Sequence, residues 1–291
     1  MIKTEQEEFW QGEFGDKYID RNDNNKLLAA NISFFSKILH RTGKIDSLVE
    51  FGCNIGLNLK AIRTLQPDLK LTGIEINHKA VEELKKWSGE VCIKEESILE
   101  VELDTKFSMT LIKGVLIHIN PESLLDVYKR LYKFSDEYIC IAEYYNPSPV
   151  TIPYRGHNNK LFKRDFAGEL MSIYPDLQLI DYGFSYHKDP VFPQDDISWF
   201  LMKKTIMIIG SSSFSGSWFA KKMIEENFKV IGLSRTKIKK EFSFINPKKF
   251  FFHKVDINKN FKNFVKLVEK YRPETIVNFA AQSFVRTSWD T

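Results

Sequence analysis

The chain has 291 residues, 43% of them apolar, which is enough for one large domain or two ordinary ones with real cores. This composition excludes disordered, collagen-like and disulfide-rich proteins. No apolar run approaches the roughly 20 residues that span a bilayer, and the acidic first residues lack the apolar core of a secretory signal, so we expect a cytoplasmic protein without a membrane partner. The three cysteines (Cys53, Cys92 and Cys140) fit no zinc spacing and are too few for a disulfide framework, so we expect no metal site.

The net charge of +4 is unevenly distributed along the chain. Residues 204–291 hold 17 Lys or Arg and 7 Asp or Glu, whereas residues 1–203 hold 25 and 31. This shift predicts two domains, 1–203 and 204–291. The lysines of the second half are scattered and not interleaved with aromatic residues that could stack on bases, so we expect no nucleic-acid partner.

Strand-length apolar runs alternate with helical patterns along the whole chain, which indicates an α/β fold with parallel sheets. In the first half the predicted helices lie at 27–39, 57–65, 79–87, 121–132 and 164–173. The predicted strands of that half lie at 47–51, 70–76, 90–94, 107–113, 137–143, 177–186 and 197–202. A segment rich in Pro, Gly and Asn, residues 146–159, is predicted to be a loop.

The same rhythm restarts after residue 204. Strands are predicted at 205–209, 229–233, 250–255 and 274–279, and helices at 215–227 and 261–271. Residues 202–204 would then form a very short linker, so the two domains are expected to pack closely or share an edge. The fold class predicted is therefore two consecutive Rossmann-like, doubly wound sheets.

A glycine turn follows the first strand, in Glu50-Phe51-Gly52-Cys53-Asn54-Ile55-Gly56. Glycines between a strand and a helix let backbone N–H groups approach a ligand at the positive end of the helix. Glu75 ends the next strand, where an acid is placed to bind two ribose hydroxyls. The alternative is a tight turn with a surface glutamate.

These residues resemble motifs I and II of class I S-adenosylmethionine (SAM) methyltransferases, with Asn54 where a glycine is usual. Asn tolerates a left-handed conformation, so the turn is expected to survive. Further segments extend the resemblance over residues 4–203 to the methylases associated with pseudaminic acid biosynthesis, which act among the enzymes of bacterial nonulosonic acids. These segments are Phe9-Trp10-Gln11-Gly12-Glu13-Phe14-Gly15-Asp16 with Tyr18, Arg21 and Asn22, then 114–121, 143–147 and 154–157.

The resemblance implies a role for each matching residue around SAM. Gly52, Asn54 and Gly56 would pass beneath the methionine part, and Glu50 would lie near its amino group. On the adenosine side, the implied contacts are Glu75 to the ribose, Ile76 flanking the adenine, and Ser97 with Ile98 beside the adenine amino group. Many such enzymes carry an Asp at the position of Ser97.

Residues after the fourth and fifth strands are the candidates for handling the acceptor. His118 is the candidate general base for a hydroxyl acceptor because histidine titrates near neutrality; alternatively it packs or caps the following helix. Residues 155–164 contain four fixed cations and a histidine, and they are expected to bind a carboxylate or phosphate of a sugar or nucleotide sugar, unless they are a solvated basic loop. The candidate acceptor-binding residues are Tyr144, Tyr145, Arg155, His157 and Arg164. Trp10 and Phe14 are expected either to cover the cofactor or to pack on the sheet.

A second glycine turn, Ile209-Gly210-Ser211-Ser212-Ser213-Phe214-Ser215-Gly216, again joins a strand to a helix. It resembles the Gly-x-x-Gly-x-x-Gly turn of extended short-chain dehydrogenases, which include nucleotide-sugar epimerases and dehydratases. That resemblance implies a weak or vestigial NADP site, because Ser213 replaces the middle glycine. Its residues would be Gly210, Ser213, Phe214 and Gly216, with Arg235 for the 2′-phosphate, Asp256 at the adenine and the stretch 278–283 beside the cofactor.

The catalytic Tyr-x-x-x-Lys pair of that family does not occur in residues 204–291. We therefore expect a truncated, non-catalytic second domain whose exposed edge favours homo-oligomers. Three functions stay open. They are a SAM-dependent methyltransferase acting on a nonulosonic-acid or nucleotide-sugar intermediate, a nucleotide-sugar oxidoreductase or epimerase, and a non-catalytic scaffold that binds sugar nucleotides.

Overall fold

A computed structural model describes residues 4–19, 25–154, 156–174, 177–225, 228–236, 249–271, 273 and 275–280. The chain forms two compact units. The first comprises Met1–Ile173 with Leu179–Met202, and the second comprises Tyr174–Gln178 with Lys203–Thr291. Among the described residues, no helix is both long enough and apolar enough to cross a membrane.

The first unit is built on a parallel sheet in the order β3-β2-β1-β4-β5. Its strands are β1 (Ser47–Phe51), β2 (Lys70–Glu75), β3 (Cys92–Glu95), β4 (Phe107–Lys113) and β5 (Ser135–Glu143). Beyond β5 the order continues with β9 (Ile197–Ile209) and then β8 (Leu177–Ser185). The strand order reverses between β1 and β4, and in such sheets ligands bind at the carboxyl ends of the strands flanking that point.

Helices precede the strands of the first unit and alternate with them, and the longer ones bury apolar side chains. They are α1 (Glu5–Gln11), α2 (Glu13–Ile19), α3 (Asn25–Thr42), α4 (Leu57–Leu65), α5 (His78–Ser88), α6 (Leu124–Phe134) and α7 (Phe166–Ile173). Phe34, Phe35 and Ile38 of α3 are fully buried in one core with Leu48 and Leu111 of the sheet. Burial of such large apolar side chains, at roughly 25 cal/mol per Å², holds this sheet rigid beneath the site.

The prediction that residues 146–159 form a loop is wrong for the second half of that segment. It contains β6 (Val150–Tyr154), which pairs antiparallel with β7 (His157–Lys163). Pro153 lies where the register of this pair shifts, so its missing N–H is tolerated in a two-stranded ribbon. Gly156 makes the connection with φ +86°, a value that glycine adopts without strain.

The second unit has parallel strands in the order β11-β10-β9-β12. Besides the end of β9, its elements are α8 (Phe214–Glu225), β10 (Lys229–Ser234), β11 (Phe250–Lys254), α9 (Phe261–Tyr271) and β12 (Thr275–Asn278). Residues 202–204, predicted as a very short linker, fall within the bounds of β9.

Candidate active site

A cavity of about 450 Å³ lies in the first unit, bordered by the segments that follow β1 to β5. This volume is within the range of small-molecule sites. The structure brings together eight of the residues singled out in the sequence: Gly52, Asn54, Glu75, Ile76, Ser97, Ile98, His118 and Tyr144. The order of the sheet alone explains this meeting, since parallel strands end at one edge.

The glycine turn after β1 has three residues in the left-handed region. They are Gly52 (φ +74°), Asn54 (φ +49°) and Gly56 (φ +75°). The expectation that Asn54 tolerates this conformation is confirmed, and its Oδ1 accepts a hydrogen bond of 2.7 Å from the N–H of Ile55. Gly56 precedes α4 and does not line the cavity, because the space beside its Cα is filled by Leu84 and Trp87.

Glu75 joins this turn to the end of β2. Its Oε2 accepts from the Asn54 N–H at 2.7 Å, and its Oε1 accepts from the Asn77 N–H at 2.9 Å. The carboxylate is 7% exposed and borders the cavity, so it does not face bulk solvent. Burial raises the pKa of Glu75, while the backbone N–H donors of Asn77 and Asn54 act in the opposite direction.

Glu50 lies behind the cavity wall rather than on it. Its Oε1 accepts a 2.6 Å hydrogen bond from Asn58, and its Oε2 is buried with no hydrogen-bond partner among the described residues. Burial raises the pKa of Glu50 to about 8, although the Asn58 bond and the charge of Lys113 oppose the shift. A buried carboxylate oxygen without a donor is costly, so a positive charge in the adjacent cavity would favour the ionised form of this group.

Sequence reasoning missed Lys113, which ends β4 and lines the cavity. Burial lowers its pKa, and the nearby carboxylates of Glu50 and Asp195 oppose that change. Asp195 also lines the cavity, so this part of the wall offers both a cation and an anion. The available signal was the position of Lys113 at the carboxyl end of a buried strand.

His118 is 6% exposed and lies on a 3₁₀ turn, Leu116–His118, beside the cavity. Its Nδ1 is 2.6 Å from the carbonyl oxygen of Lys160, which can only accept, so Nδ1 carries the proton and Nε2 is the acceptor. Burial lowers the pKa of His118 to about 4, so the expected titration near neutrality is wrong. Its ring contacts those of Trp10 and Tyr154, with centroid distances of 4.6 and 5.0 Å.

Glu143, at the end of β5, holds the turn that carries His118. Its Oε1 accepts from the N–H groups of Val115 and Leu116 at 2.9 and 2.8 Å. Burial raises the pKa of Glu143 to about 7, against the effect of these donors. This role depends on the pairing of β5 with β4, which no local sequence pattern reveals.

The two N-terminal helices contribute Trp10 and Tyr18 to the cavity wall. Asn77 fastens them, because its Nδ2 lies within hydrogen-bond distance of the Trp10 and Gln11 carbonyl oxygens and of Asp16 Oδ1, at 3.1, 3.3 and 3.0 Å. Of the two alternatives for this segment, lining the cavity is the one observed for Trp10, whereas Phe14 stacks on Phe9.

Of the remaining acceptor-binding candidates, Tyr145 and Arg164 do not line the cavity. Tyr145 is 44% exposed, and Arg164 donates a 2.6 Å hydrogen bond from Nε to Glu169 in a separate surface groove. Arg155 lies outside the described residues, and so does the side chain of His157, whose backbone belongs to β7. Arg21 and Asn22 of the N-terminal motif also lie outside them.

In the second unit, Ser213 closes the glycine turn with its own side chain. Its Oγ donates to the Gly210 carbonyl oxygen at 2.7 Å and accepts from the Gly216 N–H at 3.1 Å. Gly210 has φ +76°, and a Cβ at Gly216 would stand 2.3 Å from the Gly210 oxygen, so both positions require glycine. The turn has the strand-to-helix geometry predicted, but one of its N–H groups is already satisfied internally.

The other dinucleotide-site candidates lie around this turn or beyond the described part. Phe214 is 76% exposed and Arg235 is exposed. Asp256 Oδ1 accepts from the Asn258 N–H at 3.1 Å, which stabilises the turn after β11. Residues 281–283 lie outside the described residues.

Comparisons with known proteins give one family match and several matches to solved structures. A family model for GDP-mannose 4,6 dehydratase matches residues 207–291. No functionally curated protein matches the chain. Among solved structures, the 1,6-didemethyltoxoflavin-N1-methyltransferase of Burkholderia thailandensis, solved with bound 1,6-didemethyltoxoflavin and S-adenosylhomocysteine, has a TM-score of 0.54 at 13% identity, covering 70% of this chain and 92% of that one. Magnesium protoporphyrin IX methyltransferase of Synechocystis PCC 6803, solved with SAM, has a TM-score of 0.51 at 11% identity, covering 70% and 99%.

The first unit has the fold of the class I SAM-dependent methyltransferases. At these identities the likeness concerns the fold, whereas function depends on the side chains of the site.

Proposed function

We propose that the first unit is a SAM-dependent methyltransferase that acts on a small molecule. One observation carries the proposal: Gly52 and Asn54 of the glycine turn and the Glu75 carboxylate meet in one cavity, at the edge and switch point where this class of sheet binds ligands. Glu50, buried behind the cavity wall with no hydrogen-bond partner for its Oε2 among the described residues, would favour a positively charged group on the cavity side of that wall, such as the amino group of a methionine moiety. These features together favour SAM over a ligand without an amino-acid part.

SAM supplies a methyl group that is already activated by a positively charged sulfur. The protein therefore has to position the acceptor and exclude water, which can contribute several kcal/mol. Trp10 and Tyr154 shield the cavity, and Nε2 of neutral His118 is the acceptor available for the proton of an acceptor hydroxyl. Lys113 and Asp195 offer charges to the polar groups of the ligands.

Calorimetric titration of the full chain with S-adenosylhomocysteine (SAH), the demethylated product, tests this proposal. We expect micromolar affinity for the wild type and an affinity at least tenfold lower for Glu75→Ala. Removing the carboxylate leaves the Asn54 and Asn77 N–H groups without their acceptor and removes the proposed contact to the ribose. Glu75→Gln retains the shape and one acceptor oxygen and should lose affinity as well. Glu96→Gln alters an exposed carboxylate near β3 and is the matched control. Unchanged SAH affinity in both Glu75 variants would contradict the proposed cofactor site.

For the acceptor, we propose a nonulosonic-acid or nucleotide-sugar intermediate. The support is the resemblance of several separated segments of residues 4–203 to the methylases associated with pseudaminic acid biosynthesis. The experiment is methyl transfer from labelled SAM into free, cytidylyl- and uridylyl-activated sugars, with mass spectrometry of the product. Transfer into none of these sugars by protein that binds SAM would contradict this class.

A second candidate function concerns residues 203–291. The dehydratase family match and the glycine turn Gly210–Gly216 favour a dinucleotide-binding unit there. Ser213 weakens this candidate, since its hydroxyl takes the N–H of Gly216. We propose weak NADP binding by this unit.

A further inference from the structure

A carboxylate from the first helix reaches the loop that follows β3. Glu7 of α1 is 6% exposed and lines the cavity, and its Oε1 accepts a hydrogen bond from the hydroxyl of Ser97. Its Oε2 accepts from the Thr4 N–H at 2.9 Å. The two bonded side chains are 90 positions apart in the sequence.

The cavity beside Glu7 is suited to a flat base. Ile76 and Ile98 line it from the ends of β2 and β3, and Ile98 is 8% exposed. Because Glu75 at the end of β2 is placed for the ribose, the base would extend outward to the end of β3. Its ring would then lie between apolar side chains and its edge would meet Ser97 and Glu7.

We propose that the Glu7 carboxylate, held by Ser97, accepts a hydrogen bond from the 6-amino group of adenine and so makes the site specific for adenosine ligands. This inference rests on the proposed SAM site and assigns to it a recognition residue from α1. An ionised carboxylate accepts hydrogen bonds and donates none, so it favours an amino group over a carbonyl oxygen at this ring position.

Serine and glutamate are complementary at this point. A hydroxyl at position 97 donates to Glu7, whereas an aspartate there would place two like charges side by side, which disfavours the ionised forms. The Glu7 carboxylate of α1 thus supplies the hydrogen-bond acceptor at this end of the cavity. We therefore expect an aspartate at position 97 to weaken the binding of an adenosine ligand when residue 7 is glutamate. We expect it to favour that ligand when residue 7 is glutamine.

Glu7 also stabilises its own helix, so the test must separate the two roles. Thr4 and Glu7 form a reciprocal capping box, in which Thr4 Oγ1 accepts from the Glu7 N–H at 3.1 Å. Glutamine serves at this capping position as well as glutamate. Glu7→Gln therefore preserves the cap, removes the charge and replaces one acceptor oxygen with an amide donor.

The measurement is calorimetric titration of the full chain with SAH and with its inosine counterpart, in which a carbonyl oxygen replaces the 6-amino group. Wild type should prefer SAH by about tenfold or more, the value of one charge-assisted hydrogen bond. In Glu7→Gln the preference should fall about tenfold, since an amide can donate to the carbonyl oxygen. Glu8→Gln, an exposed position on the same helix, should leave both affinities unchanged.

Ser97→Asp completes the cycle. In the Glu7→Gln background it should restore the preference for SAH, and in the wild-type background it should weaken SAH binding. A preference that survives in Glu7→Gln, or Ser97→Asp acting alike in both backgrounds, overturns this inference while leaving Glu75-dependent SAH binding intact. Failure of wild type to bind SAH overturns both the inference and the proposed function.

Discussion

At the scale of single residues, burial sets the chemistry of His118. The Lys160 carbonyl oxygen fixes its tautomer, and desolvation keeps the ring neutral, so Nε2 is available as an acceptor throughout the physiological pH range. A neutral histidine with a pKa of about 4 is a weak base, so its share of the rate should be at the low end for general bases.

We therefore expect His118→Ala to lower the methyl-transfer rate to a hydroxyl acceptor by about 10- to 100-fold while leaving SAH affinity nearly unchanged. The rates of both proteins should show no inflection from this group near pH 6.5. The measurement is single-turnover transfer from labelled SAM between pH 5.5 and 8.5, beside calorimetry with SAH. His118→Gln retains an acceptor and is the matched control. A full rate in His118→Ala would mean that the proton is taken elsewhere.

At the scale of elements, the second glycine turn combines a suitable backbone with an unsuitable side chain. Ser213 Oγ binds both Gly210 and Gly216, so a pyrophosphate would have to displace these bonds and pass a Cβ.

We expect Ser213→Gly to raise NADPH affinity at least severalfold over a weak wild-type value, and Arg235→Ala to lower it, as measured by fluorescence titration. Tight binding of NADPH by wild type, or a preference for NADH, would contradict this view of the turn.

Some helices and strands could be predicted from the sequence, and others could not. Strands β1 and β4 and helices α4 and α9 have the predicted bounds, because their apolar patterns are local and strong. The hairpin of β6 and β7 was missed because proline, glycine and asparagine predict loops by composition, whereas pairing depends on the partner strand.

The same limit applies to the site. The glycine turn and Glu75 were found because they follow buried strands at regular spacing. Lys113, Glu143 and Glu7 were not assigned roles, because their importance depends on contacts between segments far apart in the chain, such as Glu7 with Ser97. Tyr145 and Arg164 are predicted at the site from their residue type and their position after the fifth predicted strand, yet the fold places them away from the cavity.

At the scale of the whole molecule, buried carboxyl groups near the site make the stability of the folded chain depend on pH. Burial raises the pKa of Glu50 to about 8 and that of Glu143 to about 7, above the ordinary value of 4.5. The folded chain then holds these protons more tightly than the unfolded chain, so stability falls as the pH rises from about 4.5 through these folded pKa values. His118, lowered to about 4, adds no dependence above pH 6.5, while Lys113, whose pKa burial lowers, opposes the trend.

Between pH 6.5 and 8.5 we therefore expect the unfolding temperature of the first unit to fall by several degrees, corresponding to a loss of about 2 kcal/mol. SAH should offset this loss, because its ammonium favours ionised Glu50, so the stabilisation by SAH should be larger at pH 8.5 than at pH 6.5. Scanning calorimetry at both pH values, with and without SAH, measures the effect. Glu50→Gln and Glu143→Gln each remove one ionisation and should flatten the pH dependence, and Glu96→Gln should not. An unfolding temperature that is constant or rises with pH in the wild type would contradict the assignment of these buried carboxyls.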